Sequence, residues 1–260
     1  MGFKIGSTDF TKAYLGATEI DNIQLGQSEI YSSSSVVTDG LVLNLQSDQF
    51  SGSGTNWPDL SGTNATATLS TSGFASSYFG TYGGINNVLR FPSSTSYYAT
   101  VSNNAAFDFS AAQSVYILSY PLSDSGRQNY WDQAYGGEGT WTREGNGVIN
   151  CYFGTSGGNA SPYDGYSSGT SITLNAWQSW CFTRDASTTH WYKNGVQTAS
   201  KNVVYGPPPN TTQNIRIGLG YTNVGLDAYM FAVLAYTKKL TQAEVQANDD
   251  FFNNKLGLSL

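Results

Sequence analysis

From Thr38 onward the chain breaks into short runs of alternating apolar and polar residues, each closed by a turn signal. "LVLNLQS", "VLRFP", "YYATVS", "SVYILSYPL", "GVINCYFG", "QSWCFTRD", "THWYKNGVQTAS", "NIRIGLG" and "YMFAVLAYT" follow one another at short intervals. Alternation of period two sends successive side chains to opposite faces of a strand, so each run has a face to bury. Nine such runs with little helix between them argue for a sandwich or barrel rather than a sheet of βαβ units. Composition agrees: aromatics make up 14% of the 260 residues and charged residues only 12%, the opposite of a disordered chain. That length supports one large β domain or two smaller ones.

One helix is expected, at the end. In "LTQAEVQANDDFFNNK" Thr241 stands three residues before Glu244, the spacing at which each side chain caps an orphan N–H of the first turn. A terminal helix laid over a sheet edge or end is the simplest placement.

The N-terminus has a different texture. Ile5-Gly6-Ser7-Thr8-Asp9-Phe10 recurs as Leu15-Gly16-Ala17-Thr18-Glu19-Ile20 and as Leu25-Gly26-Gln27-Ser28-Glu29-Ile30, a period of ten. A Gly in each short unit would cost a helix about 1 kcal/mol against Ala, whereas Gly beside Ser/Thr suits a tight turn between two strands. So small a unit buries too little surface to sustain itself and needs other surface to pack on. The expected division is residues 1–31 as an attachment or oligomerisation repeat, 32–37 as a Ser-rich flexible linker, and 38–260 as the main domain.

Charge and cysteine content narrow the function classes. The net charge is −6 and the twelve Lys and Arg are scattered, which disfavours nucleic-acid binding through phosphates. No run of 18 apolar residues exists to span a membrane, and "MGFKIGSTDF" lacks the apolar core of a secretory signal. Cys151 and Cys181 read as two buried small side chains; a cross-strand disulfide needs neighbouring strands and an oxidising compartment.

"WQSWCFTRDASTTHWYKNGVQTAS" (177–200) resembles the signature hairpin of the laminin G-like, concanavalin A-like jelly-roll superfamily. Trp177 opens it, Thr183-Arg184-Asp185 ends the first strand, and Trp191-Tyr192 leads to Asn194-Gly195. Trp177 and its alternating neighbours are expected on an inner face, and Asn194-Gly195 supplies the φ > 0 pair of a type I′ turn. "DGLVLNLQS…TNWPDLSGTNAT" resembles the opening strand and its Trp-x-Asp-x-Ser-Gly loop. The segments 97–122 and 214–248 resemble the later strands and terminal helix, with Ala232 standing where an acidic residue is often seen. The resemblance implies an all-β concanavalin A-like jelly-roll sandwich. The decapeptide units are similar to N-terminal segments of tailed-bacteriophage tail and head-fibre proteins. That implies a virion-surface protein assembled in the host cytoplasm, joined to other virion proteins through residues 1–31 and oligomeric, often as a trimer.

Catalysis has little to stand on. Glycoside hydrolysis needs two carboxyls roughly 5–9.5 Å apart. The five Glu are 19, 29, 138, 144 and 244, of which Glu138 and Glu144 fall in the Gly-rich "YGGEGTWTREGNG" and read as solvated loop acids. His190, the single histidine, reads as a strand-edge surface residue. Binding has more. Between Asp124 and Tyr166 a stretch rich in Gly, Ser, Asn and Asp carries Tyr130, Trp131, Tyr135, Trp141, Tyr163 and Tyr166, outside obvious strand alternation. Loop aromatics beside short polar groups suit a sugar, with a flat face for the ring and acceptors for its hydroxyls. The carbohydrate-binding candidates are these six with Asp132 and Asp164; packing at the sandwich ends or between protomers is the other reading of the same rings. No cofactor is expected; Ca2+ is common in related lectin-like folds, and Asp124, Asp132 and Asp164 could supply oxygen ligands. The function expected is non-enzymatic: a fibre, decoration or tail component that adsorbs to host-surface glycan. The alternatives are a purely structural virion subunit and a glycan depolymerase.

Overall fold

The computed structural model describes residues 3–5, 8–10, 13–15, 18–20, 23–25, 28–31, 35–144, 146–158, 160–220 and 224–260. Among these residues, sixteen strands follow residue 40. The first six are β1 (Leu41–Gln46), β2 (Asn56–Trp57), β3 (Ala67–Leu69), β4 (Phe79–Tyr82), β5 (Ile85–Pro92) and β6 (Ala99–Val101). Next come β7 (Gln113–Pro121), β8 (Gln128–Asp132), β9 (Thr140–Arg143), β10 (Val148–Gly154) and β11 (Tyr163–Ser171). The last five are β12 (Gln178–Arg184), β13 (Thr188–Lys193), β14 (Val196–Asn202), β15 (Ile215–Ile217) and β16 (Asp227–Tyr236). They form two eight-stranded antiparallel sheets, the jelly-roll sandwich expected.

The first sheet runs β4-β5-β16-β7-β12-β13-β14, with β1 beside the second half of β16. The second runs β11-β10-β9-β8-β15-β6-β3-β2. The alternation visible in the sequence sets the faces. On β7, Val115 and Ile117 enter the core between the sheets, while Tyr116 and Leu118 point the other way. On β16 a bulge skips Phe231 in the pairing of Leu118 with Ala232 and Ser119 with Met230. Phe231 and Ala232 therefore share the outer side, and Met230 and Val233 stay inside. Trp57, Trp131, Trp141, Trp180 and Trp191 are all buried in the inner core. Trp177 is not with them: it sits half-buried on the outer side, 5.6 Å from the Tyr120 ring, and donates to the Gly83 carbonyl at 2.8 Å.

Outside the first sheet lies the terminal helix α2 (Gln242–Leu256); a single turn, α1 (Gly73–Ser77), precedes β4. The capping box is present, with Thr241 Oγ1 accepting from the Glu244 N–H at 3.3 Å and Glu244 Oε2 accepting from the Thr241 N–H at 2.8 Å. The helix covers the sheet's face rather than an edge or end. Phe252 stacks on Tyr116 at 5.7 Å and meets Phe231 at 6.1 Å, and both partners stand on central strands. The reason is the unusual apolarity of that outer face, where Tyr116, Leu118, Phe231 and Leu234 need cover. Cys181 is buried in this outer layer and Cys151 in the inner core, so the two thiols are free and lie on opposite sides of the first sheet.

The resemblance motifs have visible jobs. Asn194 and Gly195 take φ of 48° and 71° and join β13 to β14. In the Trp-x-Asp-x-Ser-Gly loop, Asp59 accepts from the backbone N–H of Asn44 (2.8 Å), Ser61 (3.0 Å) and Ala65 (3.2 Å), and from the hydroxyls of Ser61 and Thr63. Trp57 donates its indole N–H to Gln46 O at 2.9 Å. His190 is half-buried on a strand flanked on both sides, not at an edge, and its Nδ1 meets the Tyr192 hydroxyl at 3.1 Å.

Each decapeptide repeat is one hairpin: residues 3–5 pair with 8–10, 13–15 with 18–20, and 23–25 with 28–31. Ile5 opposes Thr8, Leu15 opposes Thr18 and Leu25 opposes Ser28, which leaves two residues to connect each pair of strands. The turn residues and Ser32–Ser34 lie outside the described residues. The segment assigned to a flexible linker ends in contact with the domain: Val36 is buried in the outer layer and Val37 donates to Asn248 Oδ1 at 2.9 Å.

Candidate functional site

Most of the stretch expected as aromatic loops forms strands β8 to β11, one half of the second sheet, while Tyr135 lies in the connection from β8 to β9 as expected. Period two then divides the other seven candidates. Trp131 lies opposite Trp141, and Trp141 opposite Cys151, all facing the core. A bulge at Tyr130 turns that ring inward as well. Tyr166 stacks on Phe153 at 4.6 Å, and its carbonyl accepts from the Trp191 indole at 2.7 Å. Tyr130, Trp131, Trp141 and Tyr166 are each at most 1% exposed, so their rings join the sheets and offer no face to a sugar. Asp164 pairs with Lys201 of β14, whose ammonium lies 4.9 Å from the Tyr166 ring.

Asp132, Tyr135 and Tyr163 are brought together on the outer side of the second sheet. The register defines a row across seven strands: Thr68, Thr100, Arg216, Asp132, Thr140, Tyr152 and Gly165 stand opposite one another in turn. At about 4.8 Å per strand, Arg216 and Tyr152 are about 14 Å apart along it. Gly165 ends the row beneath Tyr152, where a Cβ would come within 3.0 Å of the ring.

Tyr135 and Tyr163 gather over Tyr152. Their ring centroids are 4.6 Å apart, and those of Tyr135 and Tyr152 are 5.3 Å apart. The Arg127 guanidinium lies 5.8 Å from the Tyr135 ring and 5.9 Å from the Tyr152 ring. Burial, followed by the neighbouring Tyr163 hydroxyl, pushes the Tyr135 phenol up, and burial with Glu144 nearby does the same to Tyr152. Both phenols are neutral hydrogen-bonding groups at physiological pH.

On the other side of Asp132 is a recess of about 240 Å³ lined by Tyr98, Thr100, Asp132, Ala134, Gln213, Asn214 and Arg216. Asp132 accepts from the Thr140 hydroxyl. Burial raises its pKa, opposed by that hydrogen bond and by the charges of Arg216 and Arg127. Tyr98, Thr100 and Arg216 are half-buried and Gln213 and Asn214 exposed, so their polar groups reach solvent.

Behind the face Glu138 is fully buried, not solvated. Its carboxylate accepts from the Phe109 N–H at 3.2 Å and the Thr211 N–H at 3.3 Å, joining three loops. Burial raises its pKa to about 7, and buried Arg184 opposes the shift.

The calcium ligands considered do not converge. Asp164 is held by Lys201, and Asp132 faces two guanidinium groups. Among the described residues no three His, Cys, Asp or Glu side chains come together. Calcium therefore does not fit these residues. Among them too, no helix is long and apolar enough to cross a membrane.

Sequence reasoning missed Tyr98, Arg127, Tyr152 and Arg216. The signal for two of them was parity: Tyr152 lies between inward Cys151 and Phe153, and Arg216 between inward Ile215 and Ile217.

Comparison with known proteins agrees with this architecture. The family model of the concanavalin A-like lectin/glucanases superfamily matches residues 93–246, more than half of the chain. No curated protein matches it in sequence. The binding domain of Paraclostridial Mosquitocidal Protein 1 superposes with a TM-score of 0.64 at 16% identity, over 83% of this chain and 53% of that one. The binding domain of botulinum neurotoxin DC in complex with SialylT gives 0.61 at 13%, over 82% and 52%. The same domain in complex with rat synaptotagmin II gives 0.61 at 12%, over 82% and 52%. The chain thus spans about half the length of these structures, and the likeness at such identities is one of fold. With a matching family model over most of the sandwich and both sheets in place, the chain belongs to the concanavalin A-like lectin/glucanases superfamily.

Proposed function

We propose that this is a non-enzymatic surface-display protein whose sandwich adsorbs to host-surface glycans through the outer face of the second sheet. The carrying observation is the row in which Arg216 and Asp132 line a one-ring recess beside the Tyr135, Tyr152 and Tyr163 cluster. A pyranose needs hydroxyl partners in fixed places and an aromatic face for its C–H groups, and this row offers both. The structural neighbours are binding domains, one of them in complex with SialylT, which supports a binding role. A hydrolase is disfavoured on spacing. Thr140 stands opposite Asp132, and Glu144 lies four positions beyond it, about 13 Å along the strand line, past the roughly 5–9.5 Å of a catalytic pair.

The setting we propose is the virion surface of a tailed bacteriophage, as a fibre, decoration or tail component. Residues 1–31 attach to other virion proteins and assemble the chain into an oligomer, a trimer being the form to test. Support comes from the decapeptide period and from hairpins of three- and four-residue strands, each too small to bury a core. A second reading, a structural subunit that binds no sugar, draws on the burial of five of the eight candidate residues, Asp132 among them.

A glycan panel probed with the full chain tests adsorption. Specific binding that falls about tenfold in Tyr135→Ala, as loss of an aromatic face of the cluster predicts, supports the site. A panel without a single binder removes adsorption and leaves the structural reading. A chain lacking residues 1–31 that still enters virions at normal copy number removes the anchoring role.

A further inference from the structure

Two guanidinium groups flank a single carboxylate on the candidate face, in a protein whose net charge is −6. Arg216 stands directly opposite Asp132 in the register, and Arg127 acts on the same carboxylate from the tyrosine side. One Asp132 oxygen is already occupied by Thr140. Arg216 donates no hydrogen bond and forms no ion pair among the described residues, so its planar fork of donors opens on the recess. Arg127 carries a related vacancy. Its Nε and Nη2, the two donors of one side-on edge, are buried under the tyrosine cluster without an acceptor. Glu144 accepts from the Thr142 hydroxyl at 2.6 Å and the Tyr152 hydroxyl at 3.4 Å, which puts the second acid on the Arg127 side of the face, not beside Arg216.

A neutral sugar would satisfy Asp132 and the exposed amides of Gln213 and Asn214 and leave the Arg216 guanidinium without a partner anion. A sugar acid would satisfy both. We infer that the recess selects a pyranose bearing a carboxylate, with the carboxylate on Arg216, a ring hydroxyl on the free oxygen of Asp132, and further hydroxyls on Gln213 and Asn214. The volume of about 240 Å³ lies below the roughly 300–1,000 Å³ of a drug-sized site and suits one ring of a longer chain. This inference rests on the glycan-adsorption reading and names the class of sugar it takes.

The shared chemistry, a carboxylate on a pyranose, occurs in uronates and in sialates, so the test has an arm for each. The full chain is titrated by calorimetry with trigalacturonate against its carboxyl-reduced form, and with 3′-sialyllactose against lactose. An acidic sugar that binds at least about tenfold more tightly than its neutral counterpart supports the inference, since a charge-assisted bidentate pair is worth that much or more. The arm that shows the margin identifies the source. Arg216→Gln should erase the margin, so that the acidic sugar binds no more tightly than its neutral counterpart, with the melting temperature unchanged because Arg216 faces outward. Neutral sugars that bind as tightly as acidic ones overturn the inference and leave adsorption standing. The same holds if all four probes fail while neutral glycans bind in the panel. If the panel fails as well, both fall.

Discussion

Replacing Asp249 with asparagine should stabilise this protein at neutral pH. Asp249 sits on the buried side of α2, 0% exposed, where the Tyr116 hydroxyl donates to Oδ1 at 2.6 Å and Oδ2 is without a partner. Burial pushes its pKa from 3.8 to about 6, against the hydrogen bonds that favour the charged form. A rise of about two units is worth about 3 kcal/mol, by which the folded state disfavours ionised Asp249 relative to the unfolded chain. The sign follows. Between pH 4 and 6 the native state holds a proton that the unfolded chain has released, so stability falls as pH rises and levels off above about 7. Glu138, with its pKa near 7, adds to the same slope. Asp108, Asp185 and Glu244, whose pKa values are lowered, act below that window, and His190, lowered from 6.5 by burial, opposes the slope at its upper end. Asparagine keeps the acceptor for Tyr116 and removes the charge. At pH 7.5 Asp249→Asn should gain about 1–3 kcal/mol, or about 2–10 °C in melting temperature, and the gain should vanish near pH 4. Thermal unfolding followed by circular dichroism from pH 4 to 7.5 reads both. A variant less stable than wild type at pH 7.5, or a wild type whose stability climbs from pH 4.5 to 7, would refute the reasoning. The Tyr116 hydrogen bond to the anion would then outweigh the cost of burying it.

Two further substitutions probe the sandwich. Asp59→Ala removes the acceptor shared by three backbone N–H groups and two hydroxyls in the loop after β2, and should cost about 2 kcal/mol, seen as a melting temperature lower by about 4–8 °C. Thr241→Ala breaks half of the capping box of α2 and should cost about 1 kcal/mol in urea unfolding, with the slope against urea unchanged.

The fold was legible because its strands announce themselves by period. All nine alternating runs are strands, and the capping box marked the start of α2 within a residue. What the sequence did not disclose was the place of the helix. "SVYILSYPL" and "YMFAVLAYT" are apolar on both faces, and a strand buried on both faces reads as a plain hydrophobic run. That double apolarity requires cover on the outside of the first sheet, and α2 supplies it through Phe252. Trp177 was misplaced for a related reason. It precedes β12, and the inner positions of that strand belong to Trp180 and Phe182, so counting had to start from the strand rather than from its first Trp.

The site was harder to see because composition and parity gave different answers for the same residues. "QNYWD", "TWTR" and "YDGYSSGTS" have the Gly, Tyr and Ser content of binding loops, yet they form β8, β9 and β11. Once they are strands, a ring faces either the other sheet or solvent, and only the second kind can meet a ligand. Two bulges complicate the count, one placing Tyr130 and Trp131 on the same side and one between Val148 and Asn150 in the pairing of β10 with β11. The inward set is thereby fixed as the large rings that fill the space between the sheets, whose burial at roughly 1.5–3 kcal/mol per side chain dominates the choice of register. The outward set is what that choice leaves over: Arg216, Asp132, Thr140 and Tyr152 in one cross-strand row. In this half of the molecule the packing of the core therefore determines which polar groups the face can present. A change that shifted the register of β9 by one residue would bring Trp141 to the surface and send Thr140 into the core, losing the sandwich and the candidate site together.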